Sequence, residues 1–135
     1  MNNLNSVLLE GNLVRDPELK KVGSIQRSVC RFSIGVNRYY RKAKDDEVVQ
    51  ETLFIEVETW GVLAGNCAQY LKKGRGVRVV GYLKQENWEG KEDKKNHSRI
   101  ILEAEHVEFR PDQGTKAESP AEMELEDDVE IAEEQ

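Results

Sequence analysis

Between Ser28 and Tyr40 the chain alternates apolar and polar residues, most regularly from Cys30 to Asn37. Cys30, Phe32, Ile34 and Val36 fall on one side, and Arg31, Ser33, Gly35 and Asn37 on the other. A period of two belongs to a half-buried β-strand and cannot form a helical stripe, so this stretch commits the chain to a sheet with one face on a core. The pattern recurs on both sides of it. Asn5 to Leu13 reads as a first strand, interrupted at Gly11 and ending near Arg15. Asp16-Pro17-Glu18 is a turn, because proline presets φ and aspartate bonds to nearby backbone. Beyond a polar loop from Lys42 to Glu47, a third strand turns Leu53, Ile55 and Val57 inward and Phe54, Glu56, Glu58 and Trp60 outward. In a fourth strand Val77, Val79 and Leu83 point inward while Arg78, Val80, Tyr82 and Lys84 point out. A polar hairpin from Trp88 to Asn96 leads into a fifth strand, Arg99 to Phe109.

One segment changes period. From Gly61 to Lys73, Leu63, Cys67, Tyr70 and Leu71 stand at i, i+4, i+7 and i+8, which predicts an amphipathic helix with Lys72 and Lys73 at its negative end and Gly74 as its stop. Five strands with one helix between the third and fourth is the element order of an all-β, five-stranded OB-type Greek-key barrel, an architecture that closes most of its sheet edges.

The barrel accounts for residues 1–110. At Arg110-Pro111-Asp112-Gln113-Gly114 the alternation stops, and residues 111–135 scatter a few apolar side chains among acids, too little to offset chain entropy; a disordered acidic tail is expected there. The division matters for charge. The chain as a whole is −6, but residues 1–110 hold 19 Lys and Arg against 16 Asp and Glu, a net of +3, whereas the tail holds one Lys against ten acids, a net of −9. A nucleic-acid partner is therefore compatible with the folded part.

Cys30 and Cys67 each sit inside an apolar pattern, with no CxxC and no histidine at ligand spacing, so buried thiols are expected rather than a disulfide or zinc site. Met1-Asn2-Asn3 has neither the charge nor the apolar run of a secretory signal, which points to a soluble cytoplasmic protein. No metal site and no cofactor are expected, and no catalytic residues: His97 and His106 lack a nucleophile or third member, and no Gly-rich loop cradles phosphate.

The functional signal lies in rings that point away from the core. Phe54 and Trp60 occupy the face opposite Leu53, Ile55 and Val57, where an aromatic side chain needs something to stack on it. Tyr39 and Tyr40 lie among Arg38, Arg41, Lys42 and Lys44, and Trp88 near Lys84, Lys91, Lys94 and Lys95; rings interleaved with positive charge suit a nucleic-acid strand. Glu56 and Glu58 share the face of Phe54 and Trp60 and would repel phosphates. Either they lie at a subunit contact or the strand touches only the flanking rings. Two rival readings are a scaffold whose rings bind a partner protein and a nuclease using Glu56 and Glu58 to hold a divalent ion.

Taken together, Asn12-Leu13-Val14-Arg15-Asp16-Pro17-Glu18-Leu19, Phe32-Ser33-Ile34, Glu51-Thr52-x-Phe54, Trp60-Gly61, Tyr70-Leu71-Lys72-Lys73-Gly74 and Gly81-Tyr82-Leu83-Lys84 before Trp88 resemble the bacterial single-stranded DNA-binding proteins, in that family's order and near its spacing from about Asn5 to Phe109. The resemblance implies single-stranded DNA as partner, base stacking on Tyr40, Phe54, Trp60 and Trp88, and phosphate contacts at Arg41, Lys73 and Lys84, with Arg15 and Arg38 as further candidates. It also implies a homotetramer, association with the nucleoid, and a role in DNA replication, recombination and repair. By the same resemblance Glu126, Asp127, Asp128, Val129, Glu130 and Ile131 would recruit replication and repair proteins. The tail departs from the family pattern in its short linker and in running on through Ala132-Glu133-Glu134-Gln135 without a terminal Pro-Phe; the competing reading is a solubilising extension.

Overall fold

The computed structural model describes residues 1–111. Its elements are β1 (Val7–Leu13), β2 (Glu18–Val22), β3 (Arg27–Arg41), β4 (Val48–Trp60), α1 (Gly61–Tyr70), β5 (Gly76–Glu89) and β6 (Asn96–Phe109). The sheet runs β1-β5-β6-β4-β3-β2, and a further pairing of β1 with β3 closes five of the six strands into a barrel. All pairings are antiparallel except β4 with β6, the crossover that α1 and β5 make possible. Closure depends on a close approach. Gly11 lies against the backbone of Gly35, where a Cβ would meet the Gly35 carbonyl, just before Asn12 and Leu13 pair with Gly35 and Ile34.

The alternation read from the sequence fills the barrel. Phe32 and Ile34 from β3, Val57 from β4, Val77 and Val79 from β5, and Leu102 from β6 are fully buried together with Cys30 and Cys67. Each such side chain contributes about 1.5–3 kcal/mol over its exposed state. α1 enters through Gly61 at φ +68, a conformation that costs glycine little, and closes the barrel with Ala64 and Cys67.

Four expectations need correction. The chain after Asp16-Pro17 is a strand, β2, which hairpins onto β3 from Glu18↔Arg31 to Val22↔Arg27; its side chains are nearly all exposed, so no alternation marks it. The helix ends at Tyr70 rather than Lys73, because Leu71 is already extended and the Gly74 N–H is drawn to the Leu13 carbonyl at 2.9 Å. Lys72 and Lys73 lie beyond it, and Tyr70 is exposed. The fourth and fifth strands run on to Glu89 and from Asn96, which puts Trp88 in the paired ladder rather than in the connection between them. Leu53 is 50 % exposed and Leu83 lies at the rim, since both hairpins extend past the end of the core. Among the described residues the last backbone tie is Arg110 N–H to the Gly76 carbonyl at 2.9 Å, and the expected tail from residue 111 falls almost wholly outside them. The tail residues Glu126, Asp127, Asp128, Val129, Glu130 and Ile131 lie outside the described residues.

Candidate nucleic-acid interface

β3 and β4 pair without a bulge from Val29↔Trp60 to Arg41↔Val48, so alternation assigns every side chain to a face. Opposite the core lie Arg31, Ser33, Gly35 and Tyr39 from β3 and Phe54, Glu56, Glu58 and Trp60 from β4. Phe54 is 66 % exposed, and its ring lies over Gly35, 3.4 Å from where a Cβ would stand. A larger residue there would displace the ring. Arg15, reaching from β1's exit, donates from Nη1 to Ser33 Oγ at 2.8 Å and so borders the same patch. Trp60 is half-buried, with the Arg27 guanidinium 4.6 Å above its ring, within the range of cation–π attraction.

Between Trp60 and Trp88 the outer face carries a charge network that spans four strands. Arg31 Nη2 donates to Glu58 Oε2 at 2.6 Å and to Glu86 Oε2 at 2.7 Å, and its Nη1 stands 3.7 Å from Glu56. Arg99 donates to Glu56 and Glu86 at 3.0 Å each. Lys84 Nζ is 2.7 Å from Glu58 and 3.1 Å from Glu103, and Trp60 Nε1 donates to Glu58 at 3.3 Å. Burial pushes the Glu58 carboxyl up, but bonds from Lys84, Glu103 and Arg31 outweigh it and hold the group at about 2. Glu103 moves the other way, raised by burial and by the Glu58 carboxylate beside it. Three cations, Arg31, Lys84 and Arg99, are thus shared among four carboxylates, Glu56, Glu58, Glu86 and Glu103, and the repulsion expected of Glu56 and Glu58 is reduced where it arises. No single-strand pattern signals this, because Arg31, Lys84 and Arg99 come from three different strands.

The remaining sequence candidates are more dispersed. Tyr40 lies on the face of the β3–β4 arm continuous with the core, opposite Phe54, under the Arg38 guanidinium at 4.9 Å; Arg38 also pairs with Glu51 at 3.1 Å. Tyr39, its exposed neighbour, shares the Phe54 face. Arg41 sits at the arm's tip, 3.4 Å from Asp46. Lys73 is exposed at the exit of α1, where its backbone N–H donates to Asp16 Oδ1 at 2.9 Å. Trp88 is 46 % exposed on the β5–β6 arm and stacks on His97, centroids 5.5 Å apart and planes at 21°. Phe54, Trp60, Lys84, Trp88 and Arg15 therefore form one outer surface, while Tyr40, Arg38, Arg41 and Lys73 flank it.

Among the described residues no cluster of three potential metal ligands occurs, and no helix is long and apolar enough to cross a membrane. Comparison with solved structures places the fold beside that of a Plasmodium falciparum SSB complex with ssDNA, at a TM-score of 0.75 and 21 % identity over 82 % of this chain and 98 % of that one. The fold is an OB barrel. A single-stranded DNA-binding protein of Treponema pallidum is 37 % identical over 81 % of this chain, which spans 59 % of that relative's length. Single-stranded DNA-binding protein 2 of Clostridium acetobutylicum is 31 % identical over 78 % of this chain and 76 % of its own. The sequence profile of the single-strand binding protein family matches residues 4–110, and the chain belongs to that family.

Proposed function

We propose that this chain binds single-stranded DNA with little sequence preference overall, stacking bases on Phe54, Trp60, Trp88 and Tyr40 and pairing phosphates with Lys84, Arg41, Lys73, Arg15 and Arg38. The observation that carries this reading is that three of these rings, Phe54, Trp60 and Trp88, lie on one outer surface, with Phe54 largely and Trp88 about half open to solvent, while Tyr40 flanks it. Stacking contributes about 1–3 kcal/mol per base and tolerates any base, because each has a π-face. The protein acts by binding, without catalysis, protecting and organising single strands during replication, recombination and repair in the bacterial cytoplasm and nucleoid. β1 supports a multimer: it pairs with β5 along Val7–Asn12 but with β3 only at Asn12 and Leu13, so its other edge from Val7 to Glu10 is left for a second copy, in line with a homotetramer. Recruitment of replication and repair proteins belongs to the acidic segment Glu126–Ile131.

The chain has two tryptophans, Trp60 and Trp88, both on the proposed surface. Titration with oligo(dT) at low salt should quench most of the intrinsic fluorescence, and affinity should fall as salt rises. Absence of quenching, or binding only to a partner protein and insensitive to salt, would refute the proposal.

A further inference from the structure

Where β4 runs parallel to β6, Glu58 and Glu103 are register partners, so their carboxyls leave the sheet side by side on the outer face. Both are buried, at 1 % and 8 % exposure. A single ammonium serves the two: Lys84 Nζ stands 2.7 Å from Glu58 Oε1 and 3.1 Å from Glu103 Oε1. Lys84 itself faces Ile101 across β5 and β6, a fully buried side chain outside the barrel core, so the floor of the site is apolar.

The two acids are unequally supplied. Glu58 also accepts from Arg31 and from the Trp60 indole, whereas Glu103 Oε1 accepts no hydrogen bond among the described residues. Arg31 is divided among Glu56, Glu58 and Glu86, and Arg99 between Glu56 and Glu86. Of the other titratable neighbours, Tyr82 on β5 faces Glu103, Glu105 on β6 is exposed, and Glu18 on β2 faces Arg31; α1 holds no Asp, Glu, Lys, Arg or His. The pair therefore depends on Lys84, whose side chain is 37 % exposed and flexible. An ammonium drawn outward to a phosphate leaves two buried carboxylates side by side, which cannot both stay ionised at little cost.

We propose that Glu58 and Glu103 form a proton-linked latch on Lys84: as a phosphate of the bound strand draws the ammonium away, the pair takes up one proton, carried by Glu103 and shared with Glu58. The inference rests on the single-strand binding proposed above and concerns its regulation. The proton comes from solvent, and the ammonium keeps its own. Burial and the Glu58 carboxylate already raise Glu103 above the ordinary carboxyl value while Lys84 restrains it, so removing Lys84 raises it further. Between the free and the bound value the complex holds a proton that the free protein lacks. Affinity therefore falls as pH rises through that interval and levels off on either side.

Calorimetric titration with an oligo(dT) of about eight nucleotides, within the span of one OB barrel, tests this in two buffers of low and high ionisation enthalpy at pH 7 and equal ionic strength. The difference in heat gives the protons taken up per strand bound. The expected uptake is about half a proton, equivalent to about a threefold loss of affinity from pH 6.5 to pH 7.5. Glu103→Gln keeps the volume and cannot ionise, so uptake should vanish and affinity should be equal at the two pH values. Protons per strand bound is a ratio and does not depend on the fraction folded. His97→Gln and His106→Gln remove the residue type that ordinarily exchanges protons in this range and should leave the uptake in place. Binding without uptake in the wild type, uptake unchanged in Glu103→Gln, or uptake abolished by either histidine variant would overturn the latch. Absence of binding at every pH would instead refute the single-strand reading, and the latch with it.

Discussion

Replacing Glu58 by glutamine tests whether a carboxylate is buried on the outer face because cations hold it there. Glu58 is 1 % exposed and accepts from Arg31 at 2.6 Å and Trp60 at 3.3 Å, with Lys84 at 2.7 Å. Its carboxyl stands at about 2 against an ordinary 4.5. At 1.36 kcal/mol per tenfold change in acidity, the ionised group contributes about 3 kcal/mol to the folded state. Glutamine preserves the volume and leaves Arg31 with Glu56 and Glu86 and Lys84 with Glu103, so the expected loss at pH 7 is about 2 kcal/mol, less than for a cation left wholly unpaired. Because the folded-state value is depressed, the contribution is complete above pH 4.5 and disappears as pH falls through about 2. Glu103 is raised, so its own contribution is lost as pH rises and opposes that of Glu58. Urea unfolding of wild type and variant at matched protomer concentration, from pH 7 down to pH 2, measures the difference. A difference under about 0.5 kcal/mol at pH 7, the size of an ordinary surface substitution, or one that does not shrink toward pH 2, would refute the reasoning.

Three further outcomes follow from the geometry. A Cβ at Gly81 would run into the Glu103 carbonyl where β5 slips register against β6, so Gly81→Ala should cost about 1–3 kcal/mol in urea unfolding; a neutral result would remove the close approach as the reason for glycine. Phe54→Ala should weaken oligo(dT) binding by about 1–3 kcal/mol while leaving the unfolding midpoint nearly unchanged, since the ring is exposed; equal losses in both assays would mean that the ring is structural. Burial pushes the Cys30 thiol up to about 11 and the Cys67 thiol higher still, so neither should react with a thiol reagent at pH 8 until urea exposes it, and prompt labelling of the native protein would contradict the packing.

The barrel was legible because its inward residues alternate within single strands: Cys30, Phe32 and Ile34, or Val77 and Val79, announce a face without knowledge of any neighbour. β2 was not, since Glu18–Val22 rests on its pairing with β3 and buries almost nothing. The outward phase of Phe54 and Trp60 was legible for the same reason as the core. The fate of Glu56 and Glu58 was not, because it depends on which residues of other strands arrive opposite: Arg31 faces Glu58 in register, and Lys84 and Arg99 come from strands joined through α1 and a long hairpin. Tyr39 and Tyr40 mark the limit of ring counting. Alternation sends the first to the Phe54 face and the second to the other, a distinction that clustering with Arg38 and Arg41 obscures.

Both long hairpins continue as hydrogen-bonded ladders after the core beneath them has ended. β3 and β4 remain paired from Asn37↔Thr52 to Arg41↔Val48, and β5 and β6 from Gln85↔Ile100 to Glu89↔Asn96, yet these residues are mostly exposed. Amides opened by local fraying exchange their hydrogens sooner than those released only by global unfolding. Each strand therefore runs on two clocks, slow through Phe32, Val57, Val79 and Leu102 and fast along the arms that carry Tyr40 and Trp88, with no break in pairing between them. A ligand lying across both arms would slow the fast clock and leave the slow one almost untouched.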